Sequence, residues 1–365
     1  LDCIATISDY QKNSSEIFEC LSHLYKSLWE PIQNKIKTDN VIIFPDQELF
    51  NLNFELLTAE KINSFKDLTN KSLLAKHNIS YNYSLLLLDD NQNTLDFNND
   101  FVAFAPTFDE SMKRAYVIAI NDSIDIDKTY LTLLPQPFSA DIAQRYSKRF
   151  GGRSFLNQQA SKAIFNKTAN EHKIIHIGTH AESNNVNPQL SRLVFAKNIS
   201  DSTLINDNYL YTYEIYNQNL NSNLAILTAC ETGKPSYQPG EGMISLAHAF
   251  NYAGSKSILT SLWQIDEQSS TVILDNFYGY LENGLPKNEA LKNAKLNYLN
   301  HAEGRTLHPQ YWAGLILMGD TLPIELSSSM DNYWYIILGL LVAAVFFLII
   351  WKRKTKAPLV PKAQS

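Results

Sequence analysis

The chain has 365 residues, 45% of them apolar and 19% charged, enough to bury a sizeable core in one large domain or two smaller ones. Its net charge of −6, with no basic stripe in the first 350 residues, excludes a nucleic-acid footprint. Three cysteines (Cys3, Cys20, Cys230), with no Cys-x-x-Cys and no His-rich spacing, exclude a disulfide framework and a structural zinc site. The first residue is Leu1, not Met, so the chain is read as a piece of a longer protein whose upstream part, including any leader, precedes it.

In chain order, residues 1–36 read as helical, with Ile17, Leu21, Leu24, Tyr25 and Leu28 on one face. "VIIFPDQELFNLNFELL" (41–57) offers a strand and a turn at Pro45-Asp46, and polar "DDNQNTLDFNND" (89–100) a loop or boundary. From there strands and helices alternate. "FVAFAPTF" (101–108) is a strand, 139–150 a helix ended by Gly151-Gly152, "SFLN" a short strand, "QASKAIFNKTAN" a helix and "KIIHIGT" a strand. "RLVFAK" reads as a hairpin arm, "YTYEIYN" as a helical turn or two, "LAILTAC" as a strand, and "GMISLAHAFNYAG" as a helix closed by Gly254. "SKSILTSLW" is a strand, two helices follow around 267–282 and 286–300, and "WAGLILMGD" (312–320) ends the series. Near-continuous apolar strands between amphipathic helices predict an α/β fold: a mainly parallel sheet covered on both faces. No internal repeat of 20–50 residues is present.

"YWYIILGLLVAAVFFLIIW" (333–351) is nineteen residues without a charge, about 28 Å as a helix and close to the hydrocarbon thickness. Tyr333, Trp334 and Tyr335 stand at one margin and Trp351 at the other, as an interfacial belt requires. "KRKTK" (352–356) follows, while Pro309 to Asn332 holds no Lys or Arg. Positive residues stay cytoplasmic, so a single C-terminal transmembrane helix is expected, its tail inside and residues 1–332 outside.

In such a sheet functional groups gather beyond the carboxyl ends of strands, and there lie His180 of "KIIHIGTHAE" and Cys230 of "LAILTACETG". A thiol becomes a nucleophile when an imidazole takes its proton. Attack on a carbonyl also needs an oxyanion hole of backbone N–H groups, for which the amides of Cys230 and Ala181 are candidates. The plain alternative is that a lone Cys ending a strand is a small buried hydrophobe. His176 shares strand parity with His180, but it reads as a packed, hydrogen-bonded core residue, since a zinc pair of this kind belongs on a helix with a Glu between. Asp266 and Glu267, after the strand ending at Trp263, carry two readings: an acidic wall of a substrate pocket, or an N-cap of the following helix. Gly240-Glu241-Gly242 reads as a helix start. Cys3 and Cys20 are able to pair if the domain lies outside the cytoplasm, though their spacing does not require it.

The stretches "IIHIGTHAE", "RLVFA", "YTYEIYNQNLNSNLAILTACETG", "GEGMISLAHAFNYAGSKSILTSLWQID", "LPKNEALKNAKLNYL" and "HPQYWAGLILMGD" resemble, in order, a CHAT domain, a caspase-like cysteine peptidase family of clan CD related also to separase. Residues 18–90 resemble the segment that precedes this core in bacterial members. The resemblance implies a caspase-like core over 101–322, preceded by a segment over 1–100 that belongs to the same region. A linker (323–332), the transmembrane helix (333–351) and a basic cytoplasmic tail (352–365) follow. It implies His180 as base, Cys230 as nucleophile, the amides of Ala181 and Cys230 as the oxyanion hole, and Trp263, Asp266 and Glu267 near the substrate pocket. The family usually carries Gly after the His, and here that position is Ala181. No metal or organic cofactor is implied. Expected partners are a protein or peptide substrate, the membrane through 333–351, and a protein regulator bound by upstream tetratricopeptide repeats. The expected function is a membrane-anchored cysteine endopeptidase; the rival is a catalytically inactive CHAT module that binds peptides as a scaffold.

Overall fold

A computed structural model describes residues 2–9, 11–85, 97, 99–120, 125–184, 186–201, 203–228, 230–231, 241–326 and 342–348, with backbone alone at 8, 230–231 and 241–244. Among these, the strands are β1 (Asn40–Ile43), β2 (Asn78–Tyr81), β3 (Asn99–Ala105), β4 (Arg153–Leu156), β5 (His172–Ile177), β6 (His180–Glu182), β7 (Arg192–Val194), β8 (Tyr209–Tyr211), β9 (Ser222–Leu227), β10 (Cys230–Glu231), β11 (Ser257–Ser261) and β12 (Leu315–Gly319). They form an eight-stranded sheet in the order β1-β2-β12-β11-β9-β5-β3-β4 and a small sheet in the order β10-β6-β7-β8.

Every neighbouring pair in the large sheet is parallel except β11 with β12. This is the mixed α/β, mainly parallel architecture that the alternating strands and helices predict. The sequence does not mark β2 or β8, three or four residues each, which take their pairing from neighbours rather than from an apolar run of their own. β1 and β2 reach the sheet through the single β2–β12 pairing, so residues before 100 complete the same sheet as those after it.

Strand parity sorts the core onto both faces of the sheet. Phe101 packs on Phe150 and Tyr278 on one side, while Phe104 packs on Phe165 on the other. The helices Pro137–Arg149, Glu267–Glu282 and Lys287–His301 line the first side. A strand buried on both faces needs the unbroken apolar run seen in "FVAFA", whose five residues are wholly buried.

The N-terminal helix Ser14–Leu24 begins at Asn13, whose side chain accepts the Ser15 N–H, and it buries Ile17 and Leu21 as its periodicity predicts. It is joined to the helix Asp2–Ser8 by a Cys3–Cys20 disulfide. Of the expected transmembrane span, 333–341 and 349–351 lie outside the described residues, as does the basic tail; residues 342–348 are helical. Among the described residues no helix is long and apolar enough to cross a membrane.

Candidate active site

β5 and β9 run side by side in register, Ile174 opposite Leu224 through Ile177 opposite Leu227. The sequence predicts that "LAILTAC" is one strand reaching Cys230; instead both strands stop three residues short of their reactive residue. The last rung is a Thr228 N–H bond to the Ile177 carbonyl, 3.2 Å, and the Gly178 N–H turns away to the Phe104 carbonyl, 3.0 Å. Gly178 is demanded by a close approach: a Cβ there would lie 2.9 Å from the Ser139 Cβ and 3.2 Å from His176 Nε2. Thr179 then ties its hydroxyl to the Val194 carbonyl. The two chains re-pair as β6 and β10, with His180 opposite Cys230 and Ala181 opposite Glu231.

His180 is only 4% exposed. Its Nε2 lies 2.8 Å from the Leu134 carbonyl oxygen. A carbonyl only accepts, so Nε2 carries the proton of the neutral ring and Nδ1 is left as the bare, basic nitrogen. Nδ1 is buried and has no hydrogen-bond partner among the described residues. Burial pulls the imidazole below its ordinary pKa of 6.5, the nearby Lys113 ammonium adds to that, and the Leu134 bond partly opposes it. At neutral pH the ring is therefore uncharged and able to take a proton.

The ring is held from the side by Phe108, centroid to centroid 5.0 Å. Phe108 sits at φ +50, a left-handed backbone that a bulky residue adopts only when its surroundings impose it. Neither Phe108 nor the Leu134 carbonyl was legible as a site group in the sequence. A backbone acceptor leaves no residue-type signal, and the sole hint is the "LPQP" run, whose prolines stiffen the segment carrying it. That segment is pinned by the Gln136 N–H on the Thr107 carbonyl, 2.8 Å.

Ala181 lies inside β6, wholly buried, and is not among the residues with positive φ. A methyl group is therefore tolerated where the family usually carries Gly. The side chain of Cys230 and residues 232–240 of the following loop lie outside the described residues.

The remaining candidates are engaged locally. Trp263 is half-buried and donates its Nε1–H to the Gln310 carbonyl, 3.3 Å. Asp266 is the N-cap of the helix Glu267–Glu282, accepting from the Ser269 N–H at 2.8 Å and its hydroxyl at 2.7 Å. Glu267 turns to the neighbouring helix and accepts the Ser139 N–H at 2.9 Å, in that helix's first turn, where its own N-cap Gln136 supplies no side-chain bond. Burial raises the Glu267 carboxyl above its ordinary value. His176 is fully buried, its Nδ1 hydrogen-bonded with the Tyr278 hydroxyl at 2.7 Å, and burial drives it down to about 4. It is a core residue, as read from the sequence. Among the described residues no group of three or more His, Cys, Asp or Glu is placed to hold a metal ion.

The mainly parallel sheet thus carries, just beyond β5 and β9, a buried neutral His180 with the backbone of Cys230 opposite it. The chain belongs to the CHAT domain family, whose model matches residues 19–320. It is similar to human Tetratricopeptide repeat protein 28, 24% identical over 224 residues, which cover 54% of this chain and 9% of that protein. The mouse protein of the same name is 21% identical over the same shares. The chain thus spans about a tenth of the length of these relatives. Among solved structures it is similar to the complex of Porphyromonas gingivalis RgpB pro- and mature domains, 11% identical, with a TM-score of 0.44 over 87% of this chain and 72% of that one. It is also similar to the Saccharomyces cerevisiae separase–securin complex, 12% identical, with a TM-score of 0.40 over 71% of this chain and 14% of that one.

Proposed function

We propose that this chain is a caspase-like cysteine endopeptidase in which Cys230 is the nucleophile and His180 the base. The observation that carries the reading is the register of the small sheet. It sets His180, with a bare Nδ1, directly opposite Cys230, and positions opposite one another in a ladder share a face of the pleat. His180 Nδ1 takes the Cys230 thiol proton, and Sγ bonds to the substrate carbonyl carbon as that carbonyl's π pair moves to oxygen. The oxyanion is met by the amides of Ala181 and Cys230. As the C–N bond breaks, His180 returns the proton to the leaving amine. Water, deprotonated by the same nitrogen, then hydrolyses the thioester and restores the thiol.

The domain is held outside the cytoplasm by the apolar span 333–351, with the basic tail inside. The Cys3–Cys20 disulfide supports this placement, since such bonds persist in oxidising compartments. Upstream repeats that bind a regulator belong to the same reading.

A second reading is a non-catalytic CHAT module that presents a peptide-binding scaffold, which the similarity to a protein named for tetratricopeptide repeats favours. Digestion of an unbiased peptide library by the full chain, beside Cys230→Ala and His180→Ala, separates the two. Cleavage at a common motif by the unsubstituted chain alone is the expected result. Peptides retained intact and equally by all three proteins establish the scaffold instead.

A further inference from the structure

Lys197 carries a buried ammonium outside the reacting pair. Its side chain is 1% exposed. Nζ donates to Asp127 Oδ2 at 2.7 Å and to Asn206 Oδ1 at 3.1 Å, and the rings of Tyr116, Tyr130 and Tyr209 surround it at 4.9, 5.2 and 5.6 Å. Asp127 is fully committed to the same cluster. Its Oδ2 also accepts the Tyr209 hydroxyl at 2.8 Å, its Oδ1 caps the Tyr130 N–H at 3.0 Å, and its own N–H donates to the Tyr116 hydroxyl at 2.8 Å. The cluster therefore knots together the helix Glu110–Ala119, the short helix Lys128–Thr132, β8 and the chain just after β7.

A buried ion pair is a poor way to gain stability, because desolvation offsets most of the attraction and an apolar filling does as well. What it does supply is a fixed position. The short helix that Asp127 caps has Leu133 as its C-cap, and the next residue presents the carbonyl that holds His180 Nε2. Tyr130, from the wall around Lys197, packs on Phe108 at 5.7 Å, and Phe108 packs on the His180 ring. Both supports of the imidazole thus rest on the one cluster.

We propose that Lys197 and Asp127 are positioning residues: their ion pair fixes the Leu134 carbonyl and Phe108 around His180 and so selects the tautomer with Nδ1 bare. This inference rests on reading His180 as the base. The rival is a brace that merely stabilises the fold, and the molecule contains its own control. Lys295 and Glu55 form another buried pair, 0% and 2% exposed against 1% and 15% for Lys197 and Asp127, that bonds to neither His180 nor its supports.

The test compares the full chain with Lys197→Met, Asp127→Asn and Lys295→Met. The His180 tautomer is read from ¹⁵N imidazole shifts, assigned by loss of the signal in His180→Gln, and the rate of Cys230 alkylation by iodoacetamide is measured alongside. In the unsubstituted chain a single tautomer, protonated on Nε2, is expected. Lys197→Met is expected to give mixed tautomers and about tenfold slower alkylation, while Lys295→Met lowers the unfolding temperature and leaves both readings unchanged. Asp127→Asn, which keeps an oxygen for the helix cap, is read the same way if Lys197→Met does not fold. An unchanged tautomer in a folded Lys197→Met or Asp127→Asn overturns the proposal, and so does an equal change in Lys295→Met. Because the tautomer is read without substrate, a chain that fails to cleave peptides leaves this result interpretable and bears on the peptidase reading alone.

Discussion

Cys230 stands opposite His180 in the small sheet at the same sequence interval that sets Leu227 opposite Ile177 in the large one. Two parallel strands leave the central sheet together, after equal spacers, and re-pair without slipping. Any slip of one residue would turn a side chain to the other face, so the exit points decide whether the two positions meet.

The exit of β5 depends on Gly178. Gly178→Ala puts a methyl 2.9 Å from the Ser139 Cβ, and helix Pro137–Arg149 or the strand end must move. A loss of about 1–3 kcal/mol is expected from urea unfolding midpoints, together with slower alkylation of Cys230. A destabilised variant whose Cys230 reacts at the normal rate shows that the register does not depend on this exit.

His176 makes stability depend on pH. In the unfolded chain it titrates at its ordinary 6.5, and in the fold burial holds it at about 4. Above pH 6.5 neither state binds a proton there. Below it only the unfolded chain does, so stability falls with pH until about 4 and then levels. The loss amounts to about 3 kcal/mol over that window. His176→Gln, which keeps a hydrogen-bonding partner for the Tyr278 hydroxyl, is expected to flatten that part of the curve. Parallel curves for the two proteins between pH 7 and 4 count against a buried neutral His176.

The sequence made the large sheet readable because its strands carry their own signal: "FVAFA", "KIIHI" and "LAIL" are apolar without interruption and are flanked by amphipathic helices. The lack of a helical zinc pattern around it also gave His176 as core. Of the small sheet only β7 was readable, as the hairpin arm "RLVFAK", since β6, β8 and β10 are two or three residues long and exist only through their partners. The same holds for the support of His180: a carbonyl at Leu134 and a strained Phe108 are products of tertiary packing. Asp266 illustrates the intermediate case, where a capping signal and a pocket signal coincide in one residue.

The buried pair Lys295–Glu55 joins the N-terminal segment to the helix Lys287–His301, and Lys295 also donates to the Leu315 carbonyl in β12. Lys295→Met leaves Glu55 buried without its cation, expected to cost about 3–5 kcal/mol, whereas Lys295→Met with Glu55→Leu is expected to recover most of that. Chemical denaturation of the four combinations gives the coupling. A double variant as weak as the single one shows that the Glu55 charge is not what destabilises it.

Asp266 separates a cap from a pocket wall. Asn caps as well as Asp, so Asp266→Asn is expected to leave stability unchanged while Asp266→Ala loses about 1 kcal/mol. If the carboxylate also faces the substrate, both variants cleave less after Arg or Lys than the unsubstituted chain. A library profile that is the same for all three, or one that prefers acidic or apolar residues there from the start, removes Asp266 from the pocket and leaves it as a cap.

The three cysteines divide into a disulfide and a lone thiol, Cys3 with Cys20 and Cys230 apart. Mass spectrometry after alkylation is expected to find one modified cysteine in the untreated protein and three after reduction and unfolding. Closing a loop of this length stabilises by about 3 kcal/mol, so Cys3→Ser with Cys20→Ser lowers the unfolding midpoint without touching Cys230 reactivity. The orientation proposed for the chain is tested on the same bond. A reporter active only in the cytoplasm, fused after Ser365, is expected to work, and the Cys3–Cys20 pair is expected to be oxidised in protein isolated with its thiols trapped. A reduced pair in such protein, or a silent reporter at the C-terminus, reverses the orientation proposed for the chain.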